Sequence, residues 1–135
     1  MWWRVTSRSM ARPPVNVAAT GQAKIAVQTA LAQLGDPYVW AAAGPDAFDC
    51  SGLTLYAWAA AGVSLPHSSQ MQYASGVKVS RSELQPGDLV YFYSPIHHVG
   101  LYIGNGKMVH APTFNDVVKI SDIGTFPWAG ATRPG

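Results

Sequence analysis

The chain has a single cysteine, Cys50, in 135 residues. An internal disulfide is therefore excluded, and the redox compartment is left open. Charge is also scarce: only 12% of residues are Asp, Glu, Lys or Arg, about half the globular average. The net charge of +2 is carried by scattered rather than clustered basic residues, which gives no footing for nucleic-acid binding. No apolar run approaches the roughly 18 residues of a membrane span, because glycine, proline or charge interrupts each one. The opening stretch "MWWRVTSRSMARPPVNV" has no apolar h-region and no small-residue cleavage site, so no signal peptide is expected there. Internal repeats and low-complexity tracts are missing as well.

What remains is a chain with 48% hydrophobic residues, enough for a core, at a length that suits one domain. With so little charge to solvate it, part of the surface is expected to be covered by substrate or partner. Residues 1–20 mix Arg, Ser, Pro and two tryptophans without a period. They read as an extended arm, since Pro13 and Pro14 exclude a helix interior, and the folded domain is expected over 21–135.

The spacing of Val27, Leu31 and Leu34 predicts a helix over 21–34, with Gly35 as its stop and Asp36-Pro37 as breaker. A second helix is predicted from Cys50 to Gly62, with Leu53, Tyr56, Ala57 and Ala60 on one stripe. Residues 63–85 read mostly as loop, with room for one helical turn. After "QPGD" the period changes. "LVYFY", "HVGLYIG", "KMVHA" and "VVKIS" are short β-rich runs separated by turn residues. Helices first and strands second predict an α+β fold with an antiparallel sheet.

Cys50 stands where the polar turn "AAGPDAFD" gives way to the second helix. A thiol there would meet the positive end of the helix dipole and free backbone N–H groups. Both lower a thiol pKa from about 8.5, and the same N–H groups could hold an oxyanion. Position alone leaves a buried, inert cysteine equally open.

A cysteine nucleophile wants an imidazole base. His67, His97, His98 and His110 are the candidates, and the last three flank one hairpin. A two-residue loop at Asn105-Gly106 would put His98 and His110 on opposite faces. A three-residue loop, Gly104 to Gly106 with Gly106 left-handed, would make them diagonal neighbours roughly 7–8 Å apart. The second register also gathers Val99, Leu101, Ile103, Val109 and Ala111 on one apolar face, so it is preferred. It yields His98 as base and His110 as the group that orients it. His97 reads as a strand-end histidine bonded to backbone.

The blocks "DPYVW", "FDCSGL", "LPHSSQMQ", "LQPGDLVYF" and "HHVGLYIGNGKMVHAP", in this order from about residue 23 to 120, resemble the NlpC/P60 cysteine peptidases, in particular their mycobacterial Rip-type members. The resemblance implies a papain-like α+β fold, with the nucleophile's helix packed on an antiparallel sheet. It implies Cys50 as nucleophile, His98 as base and His110 as third residue. It places Tyr38 at the site's rim or oxyanion, and Asp49, Ser51 and Ser69 in substrate binding. Family members hydrolyse peptidoglycan stem peptides, most of them between D-isoglutamate and diaminopimelate, with no metal or organic cofactor. The implied setting is extracellular, in the cell wall or periplasm, and a monomer is expected. The chain departs from the pattern at Ala41 and Ala42, where glycines are usual, and at His67, where arginine is common. Those departures bear on groove width and specificity.

Competing readings stay open. Cys50, His98 and His110 could instead bind zinc, although their spacing is unlike usual zinc sites. Asp49 could be only the N-cap of the second helix, and Ser68 and Ser69 only loop polars. Trp40 and Trp58 are assigned to the core on burial statistics. At the level of function, the alternatives are a peptidoglycan-binding module without catalysis, or a related cysteine amidase or acyltransferase. The arm over 1–20 could also lie across the groove as an inhibitory segment.

Overall fold

The asparagine-glycine turn at 105–106 sits at the tip of the longest hairpin in the protein, and that hairpin organises the fold. In the computed structural model, residues 21–135 are described. The arm expected over 1–20, with its inhibitory role, lies outside the described residues.

Three helices come first: α1 (Gly21–Leu31), α2 (Cys50–Ala60) and α3 (Ser69–Ser75). Six strands follow: β1 (Lys78–Val79), β2 (Leu89–Phe92), β3 (His98–Gly104), β4 (Lys107–His110), β5 (Lys119–Asp122) and β6 (Trp128–Thr132). They form one sheet in the order β1-β6-β2-β3-β4-β5, and every pairing is antiparallel. This is the α+β architecture that the order of periodic segments predicted.

Helix α2 is apolar nearly all round, and it is buried as such a helix must be. It packs between α1 and the sheet. Val27, Leu31, Leu53, Ala57, Leu89, Val99, Leu101 and Val109 lie in one core between helices and sheet. Trp58 is fully within it, and its indole N–H donates to the Gly87 carbonyl at 3.0 Å. The opposite face of the sheet carries a second, smaller core of Val90, Phe92, Met108, Ile123 and Ala131. Phe126 and Trp128 pack over that second core.

Four expectations need correction. Helix α1 stops at Leu31, and Leu34 is exposed rather than on the buried stripe. The chain leaves the helix through successive turns, and Gly35, at φ +91°, then donates to Val118. Trp40 is 72% exposed, not core. It occupies the tip of a turn closed by the Ala42 N–H on the Val39 carbonyl, with Ala41 at φ +65°, so its side chain is carried outward. Residues 63–85 hold more structure than a loop, namely α3, β1 and a single 3-10 turn. Last, the β3–β4 loop is the two-residue turn Asn105-Gly106, both left-handed, closed by the Gly104–Lys107 pair. The preferred face assignment survives because a bulge between Tyr102 and Gly104 restores the other register. Leu101 then faces Val109, and Tyr102 faces Met108. A bulge adds one residue to one strand and so undoes the shift that a shorter loop would impose.

Candidate active site

Cys50 is the first residue of α2, and the cap just before it explains why the helix starts there. Asp49 is extended, and its Oδ1 accepts from the Gly52 N–H at 2.6 Å. Its Oδ2 accepts from the Ala41 N–H at 3.0 Å. One carboxylate thus ties the start of the helix to the turn before it. The N-cap reading of Asp49 holds as local structure. Gly52 leaves no room for a side chain, because an added Cβ would press on the Ala42 carbonyl and lie 2.8 Å from Asp49 Oδ1.

The Cys50 sulfur is approached by the backbone N–H groups of Val99, Ser51 and Cys50 itself. The Val99 N–H is available because β4 pairs with β3 only from Leu101 onward. The sulfur therefore lies in the gap where β4 ends, beside the residue that follows His98. The expected lowering of the thiol pKa is overturned. Burial pushes it up, Asp49's charge adds to this, and the N–H groups only partly offset both.

His98 and His110 are on the sheet face opposite the helices, both buried. His98 Nε2 is 2.8 Å from His110 Nδ1. This is the diagonal meeting that the preferred register demanded. The third position of that small cluster is Gly100, opposite His110 in the alternation. An added Cβ there would meet Met108 and, at 3.3 Å, His110. Phe126 closes the face with an edge-on contact to His110 at 5.4 Å between ring centres. Burial lowers the pKa of His98 to about 4, and the neighbouring His97 adds to this. Burial lowers His110 to about 3, with His98 and Lys119 adding and Asp116 opposing. Near neutral pH both rings are uncharged, and Cys50 is a thiol.

The other expected residues are placed as follows. Tyr38 is half-buried, stacks edge-on against Phe114 at 5.4 Å, and is close enough to Cys50 and Asp49 for their charges to raise its pKa after burial has done so. Ser51 is buried, with its hydroxyl at 3.5 Å from Asp49 Oδ1 and its carbonyl accepting from Thr54 and Gln72. Ser69 is the first residue of α3, and the cap of that helix is Ser68, whose hydroxyl accepts from the Met71 N–H at 3.2 Å. His97 is exposed with Nδ1 at 3.0 Å from the Pro95 carbonyl, the backbone-bonded strand-end histidine expected. Among the described residues no group of three His, Cys, Asp or Glu is arranged to hold a metal ion, and no helix is long and apolar enough to cross a membrane.

Two contacts of the site were not read from the sequence. His67 Nε2 lies 2.8 Å from Asp49 Oδ1, and His110 Nε2 lies 2.8 Å from the Ser121 hydroxyl. Ser121 ends the predicted run "VVKIS", but only the β4–β5 register reveals which side it faces.

The chain matches the NlpC/P60 family over residues 35–133. It belongs to that family. A probable endopeptidase of Mycobacterium tuberculosis is 49% identical over 102 residues, 76% of this chain and 26% of the relative. The chain thus spans about a quarter of that protein's length. Among solved structures, the NlpC/p60 domain of the peptidoglycan hydrolase SagA is 33% identical at a TM-score of 0.75, covering 82% of this chain and 97% of that one. RipD from Mycobacterium tuberculosis, described as a non-catalytic NlpC/p60 domain protein adapted to peptidoglycan binding, is 32% identical at a TM-score of 0.69, covering 86% of this chain and 96% of that one.

Proposed function

We propose that this chain is a cysteine endopeptidase that hydrolyses the D-isoglutamyl–diaminopimelate bond of peptidoglycan stem peptides outside the cell membrane, in the wall or periplasm. The observation that carries the reading is the buried His98–His110 hydrogen bond, together with the Cys50 sulfur meeting the backbone N–H of Val99, the residue next to His98 in the chain. Names among the relatives, probable endopeptidase and peptidoglycan hydrolase, point the same way.

In this reading Cys50 is the nucleophile, His98 the base and His110 the group that orients the base. His98 Nε2 is engaged by His110, so Nδ1 is the nitrogen left to take the thiol proton. Because burial disfavours charge on both partners, the resting pair is thiol and neutral imidazole. The proton moves from sulfur to Nδ1 as sulfur attacks the γ-carbonyl of D-isoglutamate. The carbonyl oxygen becomes an oxyanion, held by the Cys50 N–H and the Tyr38 hydroxyl, where one donor is worth roughly 10²–10³ in rate. The C–N bond then breaks, and the Nδ1 proton goes to the leaving amine of diaminopimelate. Water, deprotonated by His98 Nδ1, attacks the thioester; the C–S bond breaks, the acid leaves, and the Nδ1 proton returns to the Cys50 sulfur. Asp49, Ser51 and Ser69 are assigned to the peptide-binding side of the groove, and no cofactor takes part.

Mass spectrometry of a diaminopimelate-containing stem peptide, incubated with wild type and with Cys50→Ala, tests the reading. Cleavage at the D-isoglutamyl bond by wild type alone supports it. The likeness to RipD favours a second reading, a peptidoglycan-binding module. Binding of the peptide by both proteins with no cleavage would select that second reading.

A further inference from the structure

The β5 strand is one of the two edges of the sheet among the described residues, and three of its four residues, Lys119, Ile120 and Asp122, are exposed. Ser121 alone is partly buried. It pairs with Met108, and His110 pairs with Lys119. Ser121 therefore faces the same side as His110, two residues along, and its hydroxyl reaches His110 Nε2 at 2.8 Å. Together with the His98–His110 bond, also 2.8 Å, this makes a continuous line from the sheet edge to the ring of His98, whose chain neighbour Val99 meets the Cys50 sulfur with its N–H.

Proton bookkeeping gives that line a direction. To accept from a thiol, neutral His98 must leave Nδ1 unprotonated, so its one N–H is on Nε2 and donates to His110. His110 Nδ1 must then be the acceptor, so its own N–H is on Nε2 and points at Ser121. The reverse arrangement, with Ser121 donating to Nε2, would put a proton on His110 Nδ1. His98 would then be forced to carry its proton on Nδ1, where it cannot act as a base. Around His110, the groups that could otherwise dictate its protonation are His98, Lys119 and Asp116. Lys119 and Asp116 are already engaged with each other at 2.9 Å.

We infer that Ser121 is a positioning residue, a hydrogen-bond acceptor that holds His110 in the Nε2–H tautomer and, through it, keeps His98 Nδ1 free for the Cys50 proton. The inference rests on the peptidase reading both for the direction of the line and for its kinetic consequence, while the tautomer itself is measured without substrate.

The test uses the whole chain in three forms: wild type, Ser121→Ala and Ser121→Thr. Imidazole nitrogen NMR should find His110 protonated at Nε2 in wild type and in Ser121→Thr, and mixed between tautomers in Ser121→Ala. On the stem peptide, Ser121→Ala should lower kcat roughly tenfold at unchanged KM, the size of one net hydrogen bond, and Ser121→Thr should restore it. A His110 tautomer that ignores Ser121→Ala overturns the inference. So does a kcat that is unchanged in Ser121→Ala, or one lost in Ser121→Ala that Thr does not rescue. If wild type itself leaves the peptide uncut, the peptidase reading fails, and the NMR result still decides the role of Ser121.

Discussion

His67 Nε2 and Asp49 Oδ1 stand 2.8 Å apart, and the same Asp49 oxygen already caps α2 through the Gly52 N–H. One carboxylate thus holds the helix that begins with Cys50 and the loop that precedes α3. Asp49→Ala should lower stability by about 1–2 kcal/mol, the usual worth of a lost N-cap. Asp49→Asn, which keeps an acceptor, should lose much less. His67 is exposed, so His67→Ala should change stability by under about 0.5 kcal/mol. Urea titration of the three variants checks the ranking. If Asp49 also touches substrate, Asp49→Asn raises KM while staying folded; an unchanged KM would leave it with the cap alone.

The pKa values of the paired histidines fall from 6.5 to about 4 for His98 and to about 3 for His110, first of all through burial. The unfolded chain therefore binds more protons than the folded one from about pH 6.5 down to about pH 3. Stability is present in full above that window and is lost as pH falls through it. For His98 alone the shift corresponds to about 3 kcal/mol, part of it shared with His110 across their common bond. The urea midpoint should drop steeply from pH 7 to pH 4, and His110→Gln should flatten the drop. A wild-type midpoint level across that range would mean that neither ring is held neutral.

The same values bear on activity. A neutral imidazole base that protonates only near pH 4 gives no acid limb near 6.5. The kcat/KM of wild type, measured where the protein remains folded, should stay flat from pH 8 down to about 5. A midpoint near 6.5 would indicate a solvated histidine and would sink the thiol–imidazole resting state.

Much of this arrangement was legible before any coordinates. The helix starting at Cys50 followed from a polar turn meeting an apolar run, and the meeting of His98 with His110 followed from strand alternation. The apolar faces of β3 and β4 chose the right register, although the device is a bulge at Tyr102–Gly104 and not a longer loop. Local pattern could not distinguish the two, since both give the same alternation. Trp40 misled because average burial of tryptophan says nothing about a turn that carries its side chain outward. Strand β6 was missed because "WAGAT" has neither alternation nor bulk, and pairs with β1 and β2 through partners distant in sequence. The thiol's raised pKa was missed because burial, a tertiary effect, outweighs the local helix end, and the adjacent Asp49 was read as a cap or a substrate contact rather than for its charge on the thiol.

Ala41 offers a stabilising change. It is at φ +65° in the turn before the nucleophile, a region that costs a residue with a Cβ about 1–2 kcal/mol. Glycine there gives back roughly 0.5–1 kcal/mol in unfolded-state entropy. Ala41→Gly should therefore raise stability by up to about 1 kcal/mol, read as a higher urea midpoint at unchanged slope. A lower midpoint would show that the turn relaxes around alanine without strain.

Gly52 should behave in the opposite way, against helix propensity. In an open helix interior, Gly→Ala gains about 1 kcal/mol, and Gly21, the first residue of α1, where an added Cβ meets nothing within 4 Å among the described residues, is the steric control. At Gly52 the new methyl would press on the Ala42 carbonyl and on Asp49 Oδ1. Neither can give way freely: Ala42 O accepts from the Asp49 N–H at 2.8 Å, and Asp49 is the cap. Overpacking of this kind costs about 1–3 kcal/mol, more than propensity returns, and the strain falls on the turn that aims Cys50. Gly52→Ala should therefore melt below wild type and alkylate at Cys50 at a changed rate under native conditions, while Gly21→Ala melts at or above wild type. Equal gains at both positions would mean that the turn from Trp40 to Asp49 is soft, and that the cap does not fix the thiol in place.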